Sequence, residues 1–285
     1  MAHFADKLVL APWALAQFGV DDFERITAML KAPEFEGWAE DGGTKYVQQL
    51  VARLPKQRAL SDDQLREYDG NIVGHWKHIT RHRNLHGQTL YPLYFQYLGL
   101  LVSEMYLDRY FRDRDSLVES LNVAADSYNR DAAPREQLGL YTVDDLNKLA
   151  FWMATGSGKT LLMHCHIRQY LHYLGKAGRR QELNRIILLT PNEGLSRQHK
   201  EEFELSGMEA EFYDREGGTL FTGRGVDIID IHKLRETSGE KTVAVDTFEG
   251  NNLVLVDEGH RGSGGEEWMD KRARLCAQGF SFEYS

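Results

Sequence analysis

Cysteine and proline are scarce in this chain of 285 residues, which has two cysteines and six prolines. Cys165 and Cys276 cannot make a disulfide framework and form no short-spaced metal-type pair, so a disulfide-stapled module and a Cys-ligated zinc domain are both excluded. Long apolar runs are also missing. Nothing approaches the roughly 20 residues a bilayer span requires. The opening "MAHFADKLVL" has no basic segment followed by a long apolar one, so it does not read as a signal peptide. The expected location is the cytoplasm, with reduced thiols and no membrane partner. An excess of basic charge is lacking as well: the net charge is −9, with 16 basic against 20 acidic residues over 1–140 and 18 against 23 over 141–285. A generic polyanion-binding surface is excluded, and any nucleic-acid contact must be local. No internal repeat or low-complexity tract is found.

What remains is a composition able to bury cores, 42% apolar and 11% aromatic, in a length suited to one large or two modest domains. Residues 1–140 read as mainly α-helical. Asp21 and Asp22 precede a periodic segment ending near Lys31; "TKYVQQLVARL" follows "EDGG"; Ser61 with Asp62 and Asp63 marks another start. "YPLYFQYLGLLVSEMYLDRYF" is entered through Pro92 and carries Tyr94, Tyr97, Leu98, Leu101 and Met105 at the spacing of a buried stripe. A further helix runs through "DSLVESLNVAADSYN". "HWKHITRHRNLH" lies in a stretch from Gly70 to Ser103 without Asp or Glu. Its Trp76, Lys77, Arg81 and Arg83 suit either a nucleic-acid backbone with a stacked base or a solvated helix face beside a core Trp.

Near "NRDAAPREQLGLYT" the texture changes. From about Leu146 apolar runs of strand length alternate with helical segments, which predicts an α/β domain over 141–285 built on a parallel sheet. The strand-like runs are "KLAFWM", "RIILLT", "MEAEFY", "VDIIDI", "NLVLVD" and "FSFEYS". The helix-like ones are "KTLLMHCHIRQYLHYL", "EGLSRQHKEEFEL" and "EEWMDKRARLCAQ". Near-continuous apolar strands are what a sheet covered on both faces needs. His164, Cys165 and His166 cannot close on one ion, because consecutive helical residues point about 100° apart. They are expected to be packing and surface residues.

"FWMATGSGKT" (Phe151 to Thr160) takes a strand-like run through a glycine turn into a helix. Phosphate binding needs that order. Gly156 and Gly158 let the backbone turn its N–H groups inward, so that Ala154, Thr155, Gly156, Ser157 and Gly158 line a cradle. The helix start adds a positive dipole end, and Lys159 reaches the β/γ-phosphates of a nucleotide. Thr160 would hold Mg²⁺. The strict pattern requires Gly at 153, where this chain has Met153. "NLVLVDEGH" supplies a second element: Asp257 at a strand end to organise Mg²⁺ through its water shell, and Glu258 to polarise the attacking water. Taken singly, the two segments also suit a glycine turn with an exposed lysine and a polar loop. Their joint occurrence at predicted strand ends favours a nucleotide site.

In series these segments resemble the superfamily 2 helicases and translocases, in particular the branch that includes the restriction subunit of type III restriction endonucleases. Met153 to Thr160 is similar to that branch's motif I, where Met at the first position is usual. "LLTPNEGLSRQHKEEF" resembles motif Ia, with Thr190, Pro191 and Asn192 where the family touches a nucleic-acid backbone. "VDIIDIHKLRE" resembles the next backbone-contacting motif, around His232 and Lys233. "VDEGHRG" is similar to motif II of the DEAH type, with Gly259 in place of the commoner Ala and His260 joining Lys159, Asp257 and Glu258 as catalytic.

The resemblance runs from Leu146 to the end and implies the first RecA-like P-loop domain, with ATP and Mg²⁺ as cofactors. It implies double-stranded DNA as the nucleic acid and a methyltransferase or specificity subunit as a further partner. Gln137 is the nearby candidate for an adenine-contacting glutamine. Motif III of the family begins Ser-Ala-Thr, and "FSFEYS" stops at Ser285, which implies an N-terminal fragment without the second motor domain and its arginine. Lacking that arginine, phosphoryl transfer loses a factor on the order of 10³ to 10⁵, so little turnover is expected of the chain alone. A DNA-dependent ATPase motor of a type III-like restriction or defence enzyme is therefore expected. The alternatives are a non-catalytic nucleotide- or nucleic-acid-binding module and, more remotely, a small-molecule kinase.

Overall fold

In the computed structural model, which describes residues 8–85, 87–213, 225–235, 243–244, 250–258 and 274–285, several helices of the N-terminal half start at a side-chain oxygen cap. The helices of the N-terminal half are α1 (Leu10–Phe18), α2 (Phe23–Leu30), α3 (Lys45–Arg53), α4 (Asp62–Asn84), α5 (Tyr94–Arg112) and α6 (Arg114–Asp131). Asp22 Oδ1 accepts from the Arg25 N–H at 2.6 Å, Thr44 Oγ1 from Val47 at 3.0 Å and Asp113 Oδ1 from Ser116 at 3.0 Å. Ser61 and Gln64 exchange bonds reciprocally, a capping box that opens α4. Pro92 stands just outside α5 rather than inside it: Leu93 is the N-cap, and its N–H donates to Gln96 Oε1.

The chain divides into two units, residues 1–76 with 91–146, and residues 77–90 with 147–285. The first packs α1 to α6 around Trp13, Phe18, Ile26, Leu50, Ile72 and Trp76. Tyr97, Leu98, Leu101 and Met105 of the α5 stripe are buried in that core, while Tyr94 is half-buried. The buried Asp69 carboxylate accepts from the Thr44 N–H, the Thr44 hydroxyl and the Tyr97 hydroxyl, which fastens α3, α4 and α5 together.

In the second unit the chain runs β1 (Lys148–Phe151), α7 (Lys159–Lys176), β2 (Arg185–Thr190), α8 (Glu193–Leu205), β3 (Ala210–Phe212) and β4 (Val226–Asp230). It continues through β5 (Leu234–Arg235), β6 (Val243–Ala244), β7 (Asn252–Val256) and β8 (Phe280–Tyr284). Six strands make one all-parallel sheet in the order β1-β8-β7-β2-β4-β3, and β5 with β6 form a short parallel pair. The register aligns an apolar row, Leu149, Phe282, Leu255, Leu188, Ile228 and Phe212, across all six strands. On this face α7 lays His166 against Phe151, Phe282 and Tyr284, and Tyr170 against Phe280. On the other face Ile187, Leu189, Ile229, Val254 and Val256 pack with Leu275 and Cys276. Covering both faces is why these strands read as continuous apolar runs. This is the expected α/β class, a RecA-like arrangement preceded by a helical region.

One expectation changes, one lies mostly outside the described residues, and one open alternative narrows. His164, Cys165 and His166 are all fully buried, so none is a surface residue; α7 is enclosed on more than one side. Of the helix expected over "EEWMDKRARLCAQ", only the part from Arg274 lies among the described residues, and it is helical to Cys276. In the basic stretch, Trp76 is buried and Arg83 is committed to the Glu202 carboxylate, the Ser206 hydroxyl at 2.8 Å and the Ile79 carbonyl at 3.1 Å. Lys77 and Arg81 remain exposed, so the stretch is a helix face beside a core Trp.

Candidate nucleotide and nucleic-acid site

A parallel sheet gathers the carboxyl ends of its strands along one edge, where α/β folds bind ligands. Here that edge carries, in spatial order, the loop after β1, the loop after β7, the turn after β2 and the turn after β4. Met153 N–H donates to the Ser285 carbonyl at 2.8 Å, and Ser285 N–H to the Phe151 carbonyl at 3.1 Å, so the chain stays registered on β8 until the loop leaves. Ala154, Thr155 and Gly156 are exposed, and a Ser157 N–H to Ala154 carbonyl bond of 3.1 Å closes the turn. Gly156 and Gly158 have φ of +77° and +82°, which favours glycine at both. Gly158 caps α7 without a side-chain oxygen, which leaves the first amides of the helix, near Lys159 and Thr160, for an outside acceptor.

Lys159 Nζ donates to Glu258 Oε1 at 2.7 Å, and the two side chains are only 14% and 18% exposed. Glu258 has φ of +52°, the only positive value of a non-glycine residue among the described residues. Such strain is concentrated at functional sites. Its neighbour Asp257 is 8% exposed, with its N–H on the Leu189 carbonyl at 3.0 Å and Oδ2 2.9 Å from His199 Nε2. Burial pushes the Asp257 carboxyl up, but the His199 bond and charge, Lys159 and the Glu258 N–H together outweigh it and hold the group below its ordinary value. A charged carboxylate, a second carboxylate, a lysine and unclaimed helix-start amides are a donor set that fits a magnesium triphosphate. His260 and Gly259 lie outside the described residues.

At the end of β2, Thr190 is buried and its hydroxyl is turned inward to Ser196 Oγ at 2.6 Å, so Pro191 and Asn192 form the accessible part of that turn. Asn192 caps α8 by accepting from the Leu195 N–H at 2.9 Å. Lys233 is exposed and joins Glu193 and Ser196 around a pocket of about 160 Å³ that also includes Phe212, Tyr213 and Asp230. The turns after β2 and β4 therefore converge, apart from the phosphate loop. Gln137 belongs to the other unit, where its amide donates to the Asn129 carbonyl at 3.3 Å.

His199 was not among the expected site residues. The available signal was its position: Ser196, His199 and Phe203 form the buried stripe of an otherwise polar α8. Residues 115–280 match the family described as type III restriction enzyme, res subunit. The chain belongs to that family. The match covers more than half of the chain and begins inside α6, ahead of the motifs. Membership places this res-subunit domain within helicase superfamily 2 and makes it a helicase-like, ATP-binding motor domain of a restriction-type enzyme. A search of curated proteins finds no match. Among the described residues of this domain and its helical neighbour, no helix is long and apolar enough to cross a membrane, and no cluster of His, Cys, Asp and Glu suits a metal ion.

Proposed function

We propose that this chain binds ATP with Mg²⁺ in the loop from Ala154 to Thr160 and belongs to a motor that hydrolyses ATP when engaged with double-stranded DNA. The parent would be a type III-like restriction or related defence enzyme of the cytoplasm, with a methyltransferase subunit as partner. Residues 1–140 form its helical domain and 141–285 its first RecA-like domain. The carrying observation is the juxtaposition of Lys159 with Glu258 and Asp257 from loops on β1 and β7, strands separated by β8.

A magnesium ion held by Thr160 and Asp257 would supply charge neutralisation for the phosphates. The loop amides and Lys159 bind and orient the β/γ-phosphates, and Lys159 leaves Glu258 to do so. Thr160 and Asp257 hold the metal, and His260 completes the motif. Glu258, released from the lysine, orients the attacking water and accepts its proton. Pro191, Asn192 and Lys233 meet the nucleic-acid backbone, with Thr190 positioning the turn from inside. ATP hydrolysis by the full-length parent, measured with and without duplex DNA, tests this: duplex stimulation lost in Lys159→Ala is expected. Tight nucleotide binding with no turnover under any nucleic acid would favour the non-catalytic module instead. Hydrolysis unchanged in Lys159→Ala would refute both.

A further inference from the structure

We propose that His199 is a positioning residue for Asp257, and that through it α8 ties this carboxylate to the exposed turn at Pro191 and Asn192. The role rests on Asp257 being the carboxylate that organises the metal. The terminal torsion of an aspartate is broad and sets no orientation of its own, so a neighbouring donor must fix the carboxylate plane. His199 Nε2 lies 2.9 Å from Oδ2, with both residues buried, and a carboxylate oxygen accepts, so the imidazole serves here as donor through Nε2.

The backbone of Asp257 is pinned to the Leu189 carbonyl at the end of β2, and its side chain to α8, the next element in the chain. One β2–α8 segment therefore governs both. α8 is anchored at each end. Asn192 caps it and Thr190 meets Ser196 at its start; at its finish Ser206 Oγ contacts Arg83 and His164 Nδ1 at 2.8 and 2.7 Å. His199 stands about two turns beyond Asn192, about 10 Å along the axis. A displacement of the N-terminal turn by a bound backbone reaches the carboxylate through a rigid rod.

Gln places an amide N–H near the position of the His Nε2, whereas Asn stops short of it, so the two polar replacements separate the bond from mere packing. The test is binding of a fluorescent ATP analogue across a Mg²⁺ titration, with and without a DNA duplex, on wild type, His199→Gln, His199→Asn and Lys159→Ala. Thermal unfolding of each confirms that it folds. The expected result is a Mg²⁺ requirement raised tenfold or more in His199→Asn and restored to within about threefold in His199→Gln, with metal-free binding equal. The duplex lowers the Mg²⁺ requirement of wild type and His199→Gln but not of His199→Asn. An unchanged requirement in folded His199→Asn, or equal defects in both variants, overturns the role of His199, and an equal duplex effect on all three overturns the tie through α8. If Lys159→Ala binds as wild type does, it is the nucleotide site itself that fails.

Discussion

Replacing Glu258 by glycine or by alanine separates its chemistry from its backbone. Both variants lose the carboxylate and its contact with Lys159, so those losses cancel between them. They differ in what φ of +52° costs. A Cβ in the left-handed region costs about 1–2 kcal/mol. Glycine avoids this but gives up about 0.5–1 kcal/mol more backbone entropy on folding. Glu258→Gly is therefore expected to be more stable than Glu258→Ala by about 0.5–1 kcal/mol, a difference in melting temperature of about 1–4 °C for a chain of this size. Urea midpoints and thermal melts on the two proteins measure it. If alanine equals or exceeds glycine, the strain at Glu258 is refuted.

Burial pushes the His166 imidazole down to about 3, and burial with the charges of His199 and Arg83 keeps His164 well below its ordinary value. The unfolded state takes up these protons near pH 6.5 and the folded state resists them, so stability falls as pH drops below about 6.5, by up to about 1.4 kcal/mol per pH unit for each histidine, and the His166 contribution keeps falling toward pH 3. His166→Phe is expected to flatten that slope by one proton in urea unfolding between pH 7 and 5; an unchanged slope would contradict the assignment. Arg83→Ala is expected to cost about 2 kcal/mol because it strips charge-assisted bonds from Glu202 and Ser206, while Arg81→Ala stays within about 0.5 kcal/mol. Lys233→Ala is expected to leave the melting temperature unchanged and to reduce the salt dependence of DNA binding by about one phosphate contact; an unaltered slope would remove Lys233 from the interface.

The six strands of the main sheet were legible because two-sided coverage leaves a mark in sequence: "RIILLT" and "NLVLVD" have almost no polar position to spare. The phosphate loop was legible for a local reason too, since the positive φ values at 156 and 158 favour glycine. Strand order was not, because nothing in "FSFEYS" states that it lies between β1 and β7; long-range packing of Phe282 beneath His166 fixes that. The same limit hid the partner of Asp257. His199 is 58 residues away, and its bond exists only because β2 and β7 are neighbours. Sequence also misjudged α7, where His164 and His166 sit buried beside Cys165, His164 Nδ1 meeting Ser206 and His166 Nδ1 meeting Tyr284.

When a nucleotide phosphate binds, Lys159 gives up Glu258 to hold it. The most direct measurement is the affinity for ATP with Mg²⁺, by calorimetry, of wild type, Lys159→Ala and Glu258→Gln. Binding is expected to be at least tenfold weaker in Lys159→Ala and no weaker than wild type in Glu258→Gln, where the lysine has lost its charged competitor. Equal affinity in wild type and Lys159→Ala would contradict it.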